Sequence, residues 1–136
     1  MKILIIDDEK SVSDFFQNLA RIRGYGDVDT AASGEDALGL VIKNSYDLIT
    51  LDIRMPGVSG LEIIAMLRNM CPHAIIAIVS GFIPDEVSEE VAGCVDVMIP
   101  KPISLETFHQ LLDGAEQILS TMKNIRLLGS VPTVVR

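Results

Sequence analysis

Four short apolar runs in this chain each end in residues able to handle charge. Ile3-Leu4-Ile5-Ile6 delivers Asp7 and Asp8, and Leu48-Ile49-Thr50-Leu51 delivers Asp52 into an Ile53-Arg54-Met55-Pro56 turn. Ile75-Ile76-Ala77-Ile78-Val79 delivers Ser80, and the run from Val95 to Pro100, apolar apart from Asp96, delivers Lys101. If the runs are neighbouring parallel strands, their C-terminal ends bring three carboxylates, a hydroxyl and an ammonium to one edge of a sheet, where open α/β folds place their sites. Clustered carboxylates hold a hard divalent cation, and an ammonium and a hydroxyl stabilise phosphoryl oxygens. The chemistry is that of a cation and phosphoryl site. Asp7-Asp8-Glu9-Lys10 stands where a glycine-rich phosphate loop would follow the first strand, so a phosphate here must be held by a metal and side chains.

The elements that must position these residues alternate strand and helix about five times. Val12, Phe15, Phe16, Leu19 and Ala20 form a helical stripe ending near Gly24, and Val28 to Ala32 read as a short second strand. Ser33-Gly34-Glu35-Asp36 and Ser59-Gly60-Leu61-Glu62 have the shape of capping boxes, opening helices over about 34–44 and 60–70. A weaker helix is expected over about 84–92, with Val87, Val91 and Ala92 as its few apolar anchors. Ser104 reads as the N-cap of a long amphipathic helix whose stripe is Leu105, Phe108, Leu111, Leu112, Ala115, Ile118, Leu119 and Met122. Strands of four to six apolar residues joined by crossover helices favour a parallel sheet covered on both faces. The expected fold is α/β, doubly wound and five-stranded.

Composition agrees and narrows the function. The chain has 136 residues, 49% of them hydrophobic, enough for one domain that buries about 70% of its extended-chain surface. Eleven Lys and Arg against nineteen Asp and Glu give a formal charge of −8, the wrong sign for holding a nucleic acid. No apolar run approaches the roughly 20 residues of a membrane span, and the N-terminal run is shorter than a secretory signal core. A cytoplasmic location is expected. Cys71 and Cys94 are too few for a disulfide framework and lack zinc-like spacing, so they read as thiols in or near the core.

With these residues in place, the chain resembles the receiver domain of two-component response regulators. The resemblance covers residues 1 to about 122 and rests on Asp7-Asp8, Asp52 followed by Met55-Pro56 and Gly60, Ser80-Gly81, and Lys101-Pro102. It implies a flavodoxin-like sheet of order 2-1-3-4-5 and a cis Lys101–Pro102 bond. It also implies Mg2+ bound directly by Asp8, Asp52 and the backbone carbonyl of Arg54, with Asp7 acting mainly through a metal-bound water. Asp52 is the expected nucleophile toward phosphorus, with Lys101 and Ser80 stabilising the transferred group. The implied partners are a histidine kinase or phosphotransfer protein as donor and an unidentified downstream partner or output domain. Direct binding to nucleic acid or membrane is not expected. The long final helix suggests a homodimer, with output on the surface of the fourth and fifth helices. The domain would catalyse only its own phosphorylation and dephosphorylation.

Three positions depart from the family pattern. Met98 stands three residues before Lys101, where the family usually carries Tyr or Phe, so an aromatic switch is replaced by a flexible thioether. Arg54 and Phe82, each two residues beyond Asp52 and Ser80, are bulky at positions that in the family flank the path of hydrolytic water. The phosphorylated form is therefore expected to be long-lived. Residues 123–136 read as a C-terminal tail or truncated linker, with no DNA-binding or catalytic domain expected after them. Three other classes fit less well. A phosphohydrolase with an aspartyl-phosphate intermediate, of the haloacid-dehalogenase-like kind, wants a second Asp where Arg54 stands. A flavodoxin-like redox protein wants a glycine- and hydroxyl-rich phosphate loop. An interaction module independent of phosphorylation is favoured by Met98 and disfavoured by the intact acidic site.

Overall fold

The computed structural model describes residues 1–135. Strands β1 (Ile3–Ile6), β2 (Val28–Ala31), β3 (Leu48–Leu51), β4 (Ile75–Ser80) and β5 (Val97–Pro100) alternate with helices α1 (Lys10–Ile22), α2 (Gly34–Lys43), α3 (Gly60–Met70), α4 (Glu89–Cys94) and α5 (Leu105–Arg126). The five strands form one parallel sheet of order β2-β1-β3-β4-β5. β1 and β3 are buried along their whole length, which is why they read as unbroken apolar runs rather than alternating ones.

Successive strand residues feed opposite faces. Leu4, Ile6, Ile49, Leu51, Ile76 and Ile78 pack with Ala37 and Val41 of α2 and Ile63, Ile64 and Leu67 of α3. Ile3, Ile5, Leu48 and Val79 pack with Phe16 and Ala20 of α1 and Phe108, Leu112 and Ala115 of α5. The Phe16 and Phe108 rings stack across that second layer with centroids 4.8 Å apart, in the preferred range for aromatic pairs. Gly24 ends α1 with φ +97°. Its N–H donates to Arg21 O and that of Tyr25 to Ala20 O, the paired bonds that close a helix C-terminus at a left-handed glycine.

Helix starts follow the hydroxyls. Ser33 Oγ accepts from Asp36 N–H, Ser59 Oγ from Leu61 N–H and Ser104 Oγ from Thr107 N–H. The fourth helix begins later than the sequence suggests, at Glu89 rather than about 84, because Ser88 Oγ caps Val91 N–H and sets the first turn there. None of its residues is fully buried. α5 continues without a break past Met122 to Arg126, so the first residues assigned to the tail are helical; Arg136 lies outside the described residues. Only the middle of its stripe enters the core. Leu105, Ile118 and Met122 are exposed, as is Phe15 on α1. No helix among the described residues is long and apolar enough to cross a membrane.

Candidate functional site

The order of the sheet reverses between β1 and β3, since the chain leaves β1 to one side for β2 and to the other for β3. Asp7, Asp8 and Asp52 stand at that switch point, at the C-terminal ends of the two strands. The ladder holds them. Asp7 N–H donates to Ala31 O at 3.0 Å, Asp52 N–H to Ile6 O at 2.9 Å and Lys101 N–H to Ser80 O at 2.9 Å, so each chemical residue follows the last strand pair while its backbone is still bonded to a neighbour.

Past Asp52 the chain must turn at once. Gly57 takes φ +79° after Pro56, and Gly60 opens α3 directly against the strand end. A Cβ on Gly60 would lie 2.7 Å from both Asp52 O and Ile53 Cα, closer than side-chain carbons approach backbone.

Three of the five site residues are buried: Asp7 is 3% exposed, Asp52 5% and Ser80 0%. Charges so placed need partners. Lys101 Nζ lies 2.6 Å from Asp7 Oδ2 and 3.0 Å from Asp52 Oδ2. Asp7 Oδ1 accepts Glu9 N–H at 2.9 Å. Asp52 Oδ1 accepts the Ser80 hydroxyl at 2.8 Å and Arg54 N–H at 3.0 Å. Burial pulls the Lys101 ammonium toward its neutral form, but the hydrogen bonds to Asp7 and Asp52, and then their charges, outweigh it and hold its pKa above the ordinary lysine value. Lys101–Pro102 is cis.

Ligand oxygens of Asp7, Asp8 and Asp52 lie within 4.8 Å of one another, with Asp8 exposed at the rim. An octahedral Mg2+ shell at about 2.1 Å sets opposite oxygens roughly 4 Å apart, so a small inward movement would close this group on an ion. A carboxylate oxygen has two lone-pair directions; among the described residues Asp52 Oδ2 has one hydrogen-bonding partner, Lys101, and so keeps one for a cation. The donor set, all oxygen and strongly anionic, suits Mg2+ rather than a softer metal.

The structure thus gathers Asp7, Asp8, Asp52, Ser80 and Lys101. Met98 sits elsewhere: paired with Ile78 in the sheet register, it packs against the core layer of α2 and α3 and lines a groove of about 290 Å3 with Val87, Val91 and Val95. Two further arrangements carry no signal at the level of spacing. The Arg54 guanidinium stacks over Phe82, 4.3 Å from the ring centroid. Arg68 on α3 donates to the carbonyls of Pro72, Ala74 and Cys94 and to Asp96 Oδ2, tying α3 to the ends of α4 and β5.

A five-stranded parallel sheet of this order, with an acidic cluster and a strand-end lysine at its switch point, defines the receiver class. The chain belongs to the response regulator receiver domain family, which it matches over residues 3–113. It is 35% identical over 109 residues to the response regulator MprA of Mycobacterium sp. (strain KMS), covering 78% of this chain and 46% of that protein. The chain therefore spans about half the length of this curated relative. Among solved structures it is similar to the response regulator protein TrrA of Thermotoga maritima in complex with Mg2+-BeF, at 30% identity and a TM-score of 0.73, covering 85% of this chain and 99% of that one. A two-component response regulator from Clostridium difficile aligns with a TM-score of 0.79 at 25% identity, over 88% of this chain and 98% of that one.

Proposed function

We propose that Asp52 is the phosphoacceptor of this receiver domain and takes a phosphoryl group from a phosphohistidine on a histidine kinase or phosphotransfer protein. The observation that carries the reading is the convergence of Lys101 and Ser80 on opposite oxygens of a buried Asp52, beside Asp7 and Asp8. Asp8, Asp52 and the Arg54 carbonyl would hold Mg2+ directly, and Asp7 through water. When bound, the ion neutralises part of the charge on nucleophile and phosphoryl group, which otherwise repel.

An Asp52 carboxylate oxygen forms the new O–P bond as the donor's N–P bond breaks, and the imidazole leaves with the electron pair. The Lys101 ammonium, already beside Asp52, stabilises charge on the equatorial oxygens. The Ser80 hydroxyl, relieved of a charged carboxylate, donates to the phosphoryl group instead. Hydrolysis later breaks the O–P bond, releases inorganic phosphate and returns the carboxylate, so the chain catalyses only its own phosphorylation and dephosphorylation and acts as a switch. The TrrA complex with Mg2+-BeF supports this reading by likeness.

The switch would act on a downstream partner or output domain, with the kinase, phosphorelay and cytoplasmic setting of two-component signalling. Free thiols at Cys71 and Cys94 agree with that compartment. The exposed Ile118, Met122 and Ile125 on the outer half of α5 favour a homodimer as one mode of output; a monomer at high concentration by sedimentation, with and without beryllofluoride, removes that mode alone. The test of the main reading is intact mass after acetyl phosphate and Mg2+: the wild type gains one phosphoryl group and Asp52→Asn does not. Modification of Asp52→Asn to the same extent overturns it.

A further inference from the structure

Arg54 and Phe82 lie on different loops, yet one closed circuit of contacts joins them through the buried site. Arg54 N–H donates to Asp52 Oδ1 at 3.0 Å. That same oxygen accepts the Ser80 hydroxyl at 2.8 Å, and Ser80 Oγ accepts Phe82 N–H at 3.3 Å. The circuit closes outside, where the Arg54 guanidinium stacks 4.3 Å from the Phe82 centroid. The inner half is buried, with Ser80 fully inaccessible. The outer half is exposed, Phe82 to 45%. A change in the Asp52–Ser80 hydrogen bond therefore has a short covalent and hydrogen-bonded route to the surface on both sides.

We infer that the Arg54–Phe82 stack is a latch that favours the unphosphorylated site and opens when Asp52 is modified. The inference rests on Asp52 being the phosphoacceptor. Modification moves negative charge from the carboxylate to the phosphoryl oxygens, so the Ser80 hydroxyl loses its charged acceptor on Oδ1 and follows the charge. Phe82 N–H, bonded to Ser80 Oγ, is drawn along, and the ring leaves the Arg54 guanidinium. A latch closed in one state lowers the affinity of the other by its own worth. For an exposed cation–π pair that is about two- to five-fold.

The chain has no tryptophan, so Phe82→Trp places its one indole, excited selectively over Tyr25 and Tyr46, at the latch while keeping a π face for Arg54. With Mg2+ present, beryllofluoride should shift Phe82→Trp emission, and the shift should be absent in Ser80→Ala/Phe82→Trp even at beryllofluoride concentrations raised until that variant's own melting temperature stops rising. Phe82→Leu, which keeps apolar bulk and loses the ring, should bind beryllofluoride two- to five-fold more tightly than wild type. Arg54→Met should do the same, and the double variant should gain no more than either single one, as expected for partners in one interaction. An emission shift that survives Ser80→Ala, unchanged affinity in Phe82→Leu, or additive gains would each overturn the latch. If the wild type gains no phosphoryl group from acetyl phosphate and is not stabilised by beryllofluoride, the phosphoacceptor reading fails and the latch falls with it. Normal wild-type responses with any of the former results remove the latch alone.

Discussion

Gly60 and Asp52 meet backbone to backbone: a methyl group on Gly60 would stand 2.7 Å from the Asp52 carbonyl oxygen. The first turn of α3 is pressed against the strand end that carries Asp52, and neither side of that contact is a flexible side chain. Gly60→Ala should therefore cost about 1–3 kcal/mol in urea unfolding, the usual range for overpacking. It should also weaken Mg2+ binding, because the strand end must move. Gly114, inside α5 with nothing within 4 Å of its ideal Cβ, is the contrast: Gly114→Ala should stabilise by up to about 1 kcal/mol through helix propensity. Equal stabilities for Gly60→Ala and wild type would show that α3 does not constrain the site.

The acidic cluster makes a second prediction. Asp7 already shares a short ion pair with Lys101 and caps Glu9 N–H, whereas Asp8 stands exposed at the rim and Asp52 Oδ2 keeps a lone pair open. Mg2+ affinity should fall strongly in Asp8→Asn and Asp52→Asn and less in Asp7→Asn. Saturating Mg2+ should raise the wild-type melting temperature, since an ion that binds only the folded state stabilises it by mass action. No thermal shift and no heat in a calorimetric Mg2+ titration would remove the metal assignment.

Lys101 gives a pH dependence with a definite sign. Its folded pKa is raised, so its contribution to stability is fully present below the ordinary lysine value of 10.5 and is lost as pH rises through the raised folded value. Tyr25 and Tyr46, also raised by burial first and then by hydrogen bonds to Asp113 and Asp29, lose stability in alkali with the same sign. The comparison that isolates Lys101 is wild type against Lys101→Met in chelator. At neutral pH the variant should be less stable by about 1–3 kcal/mol, because two buried carboxylates lose their cation. Above the ordinary lysine value the gap should close. A gap that stays constant to the alkaline limit of folding would show that the ammonium is not what holds the carboxylates.

Much of this was legible in the sequence because each strand announces its own end. A buried strand must be apolar, so the first charged or hydroxyl residue at its end marks the sheet edge, and Asp7, Asp52 and Ser80 are found there by that logic, with Lys101 at the end of the less buried β5. Helix starts were legible where one hydroxyl was available, as at Ser33, Ser59 and Ser104. α4 was misplaced because a segment with few apolar anchors gives periodicity little to act on, and the decisive cap at Ser88 lay inside the expected helix. The resemblance put Arg54 and Phe82 on one water path, but their stacking on each other, and the Arg68 clamp, were not legible. An arginine reads as a solvated surface residue unless its partners are known, and theirs come from separate loops brought together only by the sheet.

The bulk at Arg54 and Phe82 carries the last prediction. Hydrolysis of phospho-Asp52 needs a water in line with the O–P bond, and both side chains leave the chain two residues beyond the site, on the loops that border it. Stacked or parted, a guanidinium chain and a phenyl ring narrow the approach while Lys101 stays in place. The phosphorylated protein should decay slowly, and Arg54→Asn with Phe82→Ala should speed the decay several-fold, about 1 kcal/mol of barrier where 1.36 kcal/mol is tenfold. The readout is loss of the phosphorylated mass after removal of acetyl phosphate, in Mg2+. Decay within seconds in the wild type, or a double variant no faster than wild type, would mean that water reaches phosphorus by a route these two side chains do not border.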